Sequence, residues 1–159
     1  MRKRIFRPTA PAVPATAQSW LDVEQIARVE ISSEDPTQPI EAALRPGAEV
    51  GWQAVGPGEQ LIRLLFDAPL RLRHIRLVFQ EDQHARTQEF VLQWSGDGGQ
   101  SYQPIVRQQY TFSPPGTTQE VEDYTVELNG VTALELHIIP DISGGAALAS
   151  LAGWYLRAT

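Results

Sequence analysis

The alternation of hydrophobic and polar residues is clearest between Gln88 and Phe112, and this stretch predicts a β-hairpin. Phe90, Leu92 and Trp94 lie two residues apart, which is the pattern of a strand that buries one face. The sequence SGDGG follows at 95–99, where glycine permits positive φ angles and the aspartate can hydrogen-bond to nearby backbone. The alternation then resumes and runs to Phe112.

The same period-two pattern recurs along most of the chain and predicts an all-β protein. Further strands are predicted near 27–31, 62–66, 75–79, 124–128, 134–138 and 151–156. A turn at 67–69 and an Asn129-Gly130 hairpin turn are predicted between neighbouring strands. One helical turn is predicted at 39–44, and a long loop at 45–59. We therefore expect an antiparallel β-sandwich, or jelly roll, with under about a tenth of its residues in helices.

Several motifs occur in the order found in a known family of jelly rolls. An early strand ends in Ile-Ser-Ser, Gly51-Trp52 precedes GEQLIRLLFDAPLRLRHIRLVF, and EFVLQWSGDGGQSY follows. The sequence ASLA at 149–152 then precedes a final strand. Over about residues 20–157 the chain resembles the discoidin, or coagulation-factor type C, domains, which have the galactose-binding-like jelly-roll fold.

This resemblance implies a binding function rather than catalysis. Members of the family typically bind glycans, phospholipid headgroups or protein partners. The chain departs from the family in two places. Gly153-Trp154 stands where sugar-binding members often have an acidic residue that helps to hold calcium, and the disulfide of the extracellular animal members is absent because the chain has no cysteine.

Composition and charge indicate one folded domain with a separate N-terminal segment. A length of 159 residues suits one domain, which we place at residues 19–159. Residues 1–18 carry four basic side chains and several prolines, and they predict a disordered arm rich in proline and alanine. The arm lacks an apolar run long enough for a signal peptide, and no membrane span is predicted. With no cysteine in the sequence, we expect a cytoplasmic location.

The charge of the domain argues against nucleic acid as its partner. The whole chain has 13 basic and 19 acidic residues. Without the four basic residues of the arm, nine basic residues face 19 acidic ones, a net charge of −10. Phosphate backbones require concentrated positive charge.

Candidate catalytic and metal-binding motifs are weak. The three histidines do not have the spacing of metal ligands. Ser95 opens a hairpin turn and not the strand-to-helix turn of a nucleophile elbow. The adjacent pairs of acidic residues are typical of solvated surface loops and not of a glycosidase cleft. We expect no enzyme activity, no cofactor and no metal. If a metal does bind, Asp35, Asp97 and Asp141 are the candidate ligands.

Strand order predicts where a binding site would lie. Counting from the strand at 60–66, turns 67–69, 95–100 and 129–130 fall at one end of the sandwich. Loops 45–59, 81–87, 113–120 and 140–148 fall at the other end, and clustered long loops are common binding sites. The candidate ligand-binding residues at this end are Trp52, Asp82, His84, Arg86 and Asp141.

Alternatives remain open for this site. The indole of Trp52 can stack on a sugar ring or pack in the core. The rim can also be plain solvated surface, in which case the next candidate is an exposed sheet face around His74, Arg76 and Arg107.

Two functions fit these observations. The first is a non-catalytic module that binds a carbohydrate or similar polar ligand through the loops at one end. The second is an intracellular protein–protein interaction or scaffold domain, or a small homo-oligomer, without a sugar ligand.

Overall fold

The computed structural model describes residues 20–48 and 50–159, so the arm predicted at 1–18 lies outside the described residues. Its elements, in chain order, are helix α1 (Val23–Ile26), strand β1 (Ala27–Ile31), helix α2 (Ile40–Leu44), and strands β2 (Trp52–Pro57), β3 (Gln60–Gln80), β4 (Arg86–Ser95), β5 (Gln103–Phe112), β6 (Gln119–Ile139), β7 (Leu148–Leu151) and β8 (Gly153–Arg157). All their strand pairings are antiparallel, which confirms the predicted all-β antiparallel sandwich.

Strands β3 and β6 are each 21 residues long and pass through both layers of the sandwich. The first half of β3 lies between β1 and the second half of β6, in a layer with the order β1-β3-β6-β4-β5. The second half of β3 lies between β8 and the first half of β6, and these three form the opposite layer. The two layers therefore share their central strands.

The turns predicted at 67–69 and 129–130 are not separate hairpins, because both positions lie within these long strands, at the end of the sandwich where the paired strands fold over from one layer to the other. Between the pairs Leu65↔Ala133 and Leu70↔Val131, β3 advances five positions while β6 advances two, so residues 67–69 form a bulge. Gly130 has a φ of 69°, and β6 passes it in a bulge where the strand folds over from one layer to the other. The positive φ that a hairpin turn needs is the same one that a glycine bulge uses, so the Asn-Gly signal does not distinguish them.

The hydrophobic core lies between the two layers. Ile62 and Leu64 of the first half of β3 are fully buried, as are Ile75, Leu77 and Phe79 of the second half. The ring of Phe79 stacks on Phe90 of β4, with ring centroids 5.2 Å apart. Burying each large apolar side chain contributes roughly 1.5–3 kcal/mol to folding, so this shared core dominates the stability of the sandwich.

The hairpin predicted between Gln88 and Phe112 is confirmed by β4 and β5, which pair from Arg86↔Phe112 to Trp94↔Gln103. Its turn is ordered by Asp97, which accepts hydrogen bonds from the backbone N–H groups of Gln100 and Ser101 and from the hydroxyls of Ser95 and Ser101. Hydrogen bonds to the Asp97 carboxylate lower its pKa to about 2, and the hydroxyl of Ser101 has a larger effect than that of Ser95. The Asp97 carboxylate therefore stabilises the turn through hydrogen bonds within it.

Candidate functional site

The long connections meet at one end of the sandwich, as the strand count predicts. The backbone N–H of Glu81 donates to the Thr118 carbonyl at 2.8 Å, and that of Ile142 donates to the Thr87 carbonyl at 2.8 Å. At the opposite end, the Gly98 N–H donates to the hydroxyl of Thr132 at 2.8 Å. We call the first of these the loop end.

A cleft of about 790 Å³ opens at the loop end. It lies between the β2–β7 pair and the segment that follows β3. Its volume lies in the range of small-molecule binding pockets. The described lining residues are Gln38, Ala48, Val50, Gly51, Trp52, Gln53, Val78, Gln80, Glu81, Asp82, Gln83, His84, Gln119, Ala146, Ala147, Leu148, Ser150, Leu151, Ala152 and Tyr155.

Two of the predicted residues, Asp82 and His84, line this cleft with exposed side chains. Oδ1 of Asp82 accepts a hydrogen bond from Nε2 of Gln80 at 2.7 Å, which fixes the direction of the carboxylate. The backbone N–H of His84 donates to Oε2 of Glu81 at 3.2 Å and holds the 81–84 turn, and the exposed side chain of His84 lies at the cleft. These two residues combine a fixed acceptor with a side chain that can donate or accept.

Carboxamides dominate the polar lining, and sequence reasoning missed them. Nε2 of Gln38 donates to Oε1 of Gln53 at 3.0 Å across the cleft wall. Nε2 of Gln119 donates to Oε1 of Gln80 at 3.3 Å, and Gln80 in turn donates to Asp82. Gln83 also lines the cleft. These five glutamines come from four separate segments of the chain, so no single spacing in the sequence brings them together.

Trp52 does not offer a stacking face, so that part of the predicted site is wrong. Its relative exposure is 1%, and its Nε1 donates to the Ser33 carbonyl at 3.0 Å. The residue opens strand β2 and pairs with Leu151 of β7, so the predicted loop at 45–59 is also wrong from Trp52 to Pro57. The packing alternative is the one that the structure shows, and Trp52 forms the floor of the cleft.

Arg86 is also buried, with a relative exposure of 4%, so it presents no donors to the rim as predicted. Its Nε donates to Oε1 of Glu81 at 2.7 Å, and its Nη1 donates to the Pro140 carbonyl at 2.7 Å. Its guanidinium lies 4.8 Å from the ring centroid of Phe112. Arg86 therefore ties the 81–85 connection to the end of β6, beneath the loops.

Asp141 is at the loop end but does not line the cleft. Its Oδ1 accepts hydrogen bonds from the backbone N–H of Ser143 at 3.1 Å and from the Ser143 hydroxyl at 2.8 Å. The Ser143 hydroxyl and backbone N–H lower the pKa of Asp141, so this carboxylate stabilises its own turn. Of the five predicted residues, Asp82, His84 and the buried Trp52 line the cleft, while Arg86 and Asp141 support the loops around it.

Two glycines let the cleft wall close tightly. A Cβ atom at Gly51 would lie 2.2 Å from the carbonyl oxygen of Leu151, so β2 and β7 approach more closely there than any side chain allows. A Cβ at Gly153 would lie 2.6 Å from Cζ of Tyr155. The Tyr155 ring therefore occupies the space beside residue 153, where the resembling family often has an acidic side chain.

The alternative sheet-face site is divided between two layers. His74 and Arg76 lie on the second half of β3, and both contact Oδ1 of Asp123 at 2.7 Å. Arg107 lies on β5 in the other layer, and its Nη1 donates to Oε2 of Glu89 at 2.9 Å. These three side chains therefore do not form one site.

The candidate metal ligands serve other purposes in the structure. Oδ1 of Asp35 accepts hydrogen bonds from the backbone N–H and hydroxyl of Thr37, so Asp35, Asp97 and Asp141 each cap a turn of their own. Across residues 20–48 and 50–159, no group of three or more histidine, aspartate or glutamate side chains is arranged to hold a metal ion. Within the same residues, no helix is long and apolar enough to cross a membrane.

A buried acid lies beside Arg86 on the inner face of β6. Nη1 of Arg86 donates to Oε1 of Gln88 at 3.4 Å, and Nε2 of Gln88 donates to Oε1 of Glu120 at 3.1 Å. Glu120 has a relative exposure of 1%, and its Oε2 has no partner among the described residues. Burial, followed by the neighbouring carboxyl of Glu122, raises the pKa of Glu120 to about 8. The carboxyl is therefore protonated at neutral pH.

This raised pKa predicts that stability falls as the pH rises. The pKa of Glu120 is about 8 in the folded state and about 4.5 in the unfolded state. Its contribution to the free energy of unfolding is complete below about pH 4.5 and is lost as the pH rises through about 8. Since each pKa unit corresponds to about 1.4 kcal/mol and the window spans about 3.5 pH units, we expect the free energy of unfolding to fall by up to about 5 kcal/mol across it. Urea unfolding at a series of pH values measures it.

The matched variants for this measurement lie on the same strand. Glu120→Gln should flatten the pH dependence, because a neutral amide replaces the acid, whereas Glu127→Gln, on the exposed face, should retain it. An unchanged slope in Glu120→Gln would show that another group causes the pH dependence.

Comparisons with known proteins identify the fold. No protein-family model matches the chain, and no curated protein matches it in sequence. Among solved structures, the family 32 carbohydrate-binding module of Clostridium perfringens NanJ in complex with galactose has a TM-score of 0.63 at 11% identity, over 87% of this chain and 97% of that chain.

Two further structures show the same similarity. The family 32 module of AlyQ in complex with 4,5-unsaturated mannuronic acid has a TM-score of 0.61 at 16% identity, over 84% of this chain and 96% of that one. The Clostridium perfringens module CpGH89CBM32-5 in complex with GalNAc-β-1,3-galactose has a TM-score of 0.58 at 17% identity, over 87% of this chain and 99% of that one. The chain has the galactose-binding-like jelly-roll fold of these modules, as the resemblance in its sequence implies.

Proposed function

We propose that this protein is a non-catalytic module that binds a carbohydrate in the cleft at the loop end. The observation that carries the proposal is the cleft of about 790 Å³, lined by five carboxamides together with Asp82 and His84. The fold supports the proposal, because modules with the same fold are solved with sugars bound.

The chemistry of the lining suits a ligand rich in hydroxyl groups. Each carboxamide presents an acceptor oxygen and two donor hydrogens, and a sugar hydroxyl both donates and accepts. The hydrogen bonds from Gln119 to Gln80 and from Gln80 to Asp82 orient these groups before a ligand arrives. Pre-orientation reduces the entropy that is lost on binding. Tyr155, at the cleft wall, adds an aromatic surface beside the polar groups.

The carboxylates of the cleft do not form the pair that glycoside hydrolysis uses. That reaction requires one carboxylic acid with a raised pKa and a second carboxylate across the substrate. Although burial opposes it, the hydrogen bond from Arg86 and the backbone N–H groups of Gln83 and His84 lower the pKa of Glu81. Glu81 is therefore an ionised partner of Arg86, and it does not serve as a general acid.

The proposal predicts that Asp82 and His84 contribute to affinity. The double variant Asp82→Ala/His84→Ala should bind at least about fivefold more weakly, because the two lost hydrogen bonds together contribute roughly 1–3 kcal/mol. A glycan array with the intact chain identifies a ligand, and calorimetry then compares the variants.

The control for this prediction is Asp67→Ala, which removes an exposed carboxylate at the opposite end of the sandwich. Its affinity should equal that of the unaltered protein, and urea unfolding should show that all the variants are folded. A folded double variant with full affinity would place the binding site elsewhere, and an array without any bound glycan would contradict the proposed function.

A further inference from the structure

We propose that the cleft selects neutral glycans and discriminates against glycans that carry carboxylates, such as uronic acids. This inference rests on the proposed function and narrows its ligand class. It is carried by the charges around the cleft. The described lining includes the carboxylates of Glu81 and Asp82 and contains no arginine or lysine.

The guanidinium that contacts Glu81, that of Arg86, does not supply the missing positive charge. The side chain of Arg86 has 1% relative exposure, and its Nε and Nη1 donate to Glu81 and Pro140. Its charge is therefore matched by Glu81, which itself lines the cleft. A ligand carboxylate would need a bidentate donor at the surface, and arginine is the usual residue for that task.

Asp82 is the group that a ligand carboxylate would meet. Its side chain is exposed at the cleft, and Gln80 holds one of its oxygens at 2.7 Å. Two carboxylates brought within contact distance repel each other, and the repulsion strengthens as water is displaced. A hydroxymethyl group at the same place could donate a hydrogen bond to Asp82 instead. The same position therefore favours the neutral sugar and disfavours its oxidised counterpart.

The overall charge acts in the same direction at longer range. From residue 20 onward the chain has nine basic and 19 acidic residues, so acidic polysaccharides approach a surface of the same sign. The carboxamides of the lining, by contrast, carry no net charge and can satisfy hydroxyl groups as donors or as acceptors. Recognition in this cleft thus depends on hydrogen bonds between uncharged amide groups of the protein and uncharged hydroxyl groups of the ligand.

The test uses sugar pairs that differ only in the oxidation state of one carbon. The methyl glycosides of galactose, glucose and mannose are compared with the corresponding uronic acids by calorimetry or ligand-observed NMR, at a pH near 8 where ordinary imidazoles are uncharged. Neutral and uronate polysaccharides are compared in parallel. We expect the neutral member to bind at least about tenfold more tightly, and the gap to narrow at high salt.

A charge reversal gives the matched comparison. Asp82→Lys should raise the affinity for the acidic member relative to the neutral one by about tenfold, whereas Asp67→Lys makes the same change in net charge at the other end and should leave the ratio unchanged. Equal or tighter binding of the uronates by the unaltered protein would overturn this inference and leave the proposed carbohydrate function in place. If neither class binds, both the function and the inference are overturned.

Discussion

Replacing Gly51 with alanine is expected to lower the free energy of unfolding by about 3 kcal/mol, because overpacking a tight contact typically costs roughly 1–3 kcal/mol and this contact is unusually close. The new Cβ would lie 2.2 Å from the Leu151 carbonyl oxygen and 2.7 Å from Cα of Ala152. Both are backbone atoms, so no rotamer change relieves the overlap. The β2–β7 pair must separate, and urea unfolding measures the cost.

The control for Gly51→Ala is Gly56→Ala, a second glycine in the same region. Gly56 lies within β2, and a Cβ there would meet no atom within 4 Å. Its substitution should change stability by less than about 0.5 kcal/mol. Because Gly51 lines the cleft, its substitution should also weaken ligand binding, whereas Gly56→Ala should not. Similar unfolding midpoints for the two variants would show that the β2–β7 contact tolerates expansion.

Replacing Arg86 with methionine is expected to lower the free energy of unfolding by about 3–5 kcal/mol, the usual cost of removing one partner of a buried ion pair. The change removes the donor to Oε1 of Glu81 and to the Pro140 carbonyl, and it leaves the Glu81 carboxylate without its positive partner. Methionine is an unbranched side chain without charge or N–H donors, so the loss reports mainly on the charge and the hydrogen bonds. Chemical denaturation gives the free energy, and amide exchange in residues 81–85 shows whether the connection loosens.

The matched control is Arg107→Met, which removes the same group from an exposed ion pair. The Arg107 side chain is 67% exposed, and its pair with Glu89 spans 2.9 Å. Exposed pairs contribute at most about 1 kcal/mol. Equal losses in the two variants would mean that the burial of Arg86 adds nothing to its interaction with Glu81.

Periodicity in the sequence predicts the fold because the buried face of each strand repeats every second residue. The hairpin of β4 and β5, the strand at 27–31 and the helical turn at 40–44 are all found where local patterns place them. The continuity of β3 and β6 is not predictable in this way. Asp67-Ala68-Pro69 and Asn129-Gly130 interrupt the alternation equally well in a turn and in a bulge, and only the partner strand distinguishes the two.

The location of the cleft is predicted by strand order, but its chemistry is only partly predicted. Asp82 and His84 are predictable because they are polar residues in the loop 81–87, one of the long loops that strand order places at this end. Arg86 was assigned to the wrong side, although it shares the inward parity of Gln88 and Phe90. The glutamines of the cleft were missed because amides without charge or motif spacing give no local signal, and their proximity depends on tertiary structure.

The shared central strands also have a consequence for how this protein folds. Pairing β3 with β6 joins residues that are far apart along the chain, from Gln60↔Ile138 to Gln80↔Gln119, with the β4–β5 hairpin between them. Such non-local pairing slows folding, because a long loop must close before its contacts are gained. The hairpin, with its local contacts, can form first and shorten that loop. Since neither layer has its own complete set of strands, the two layers must assemble together in a single cooperative step.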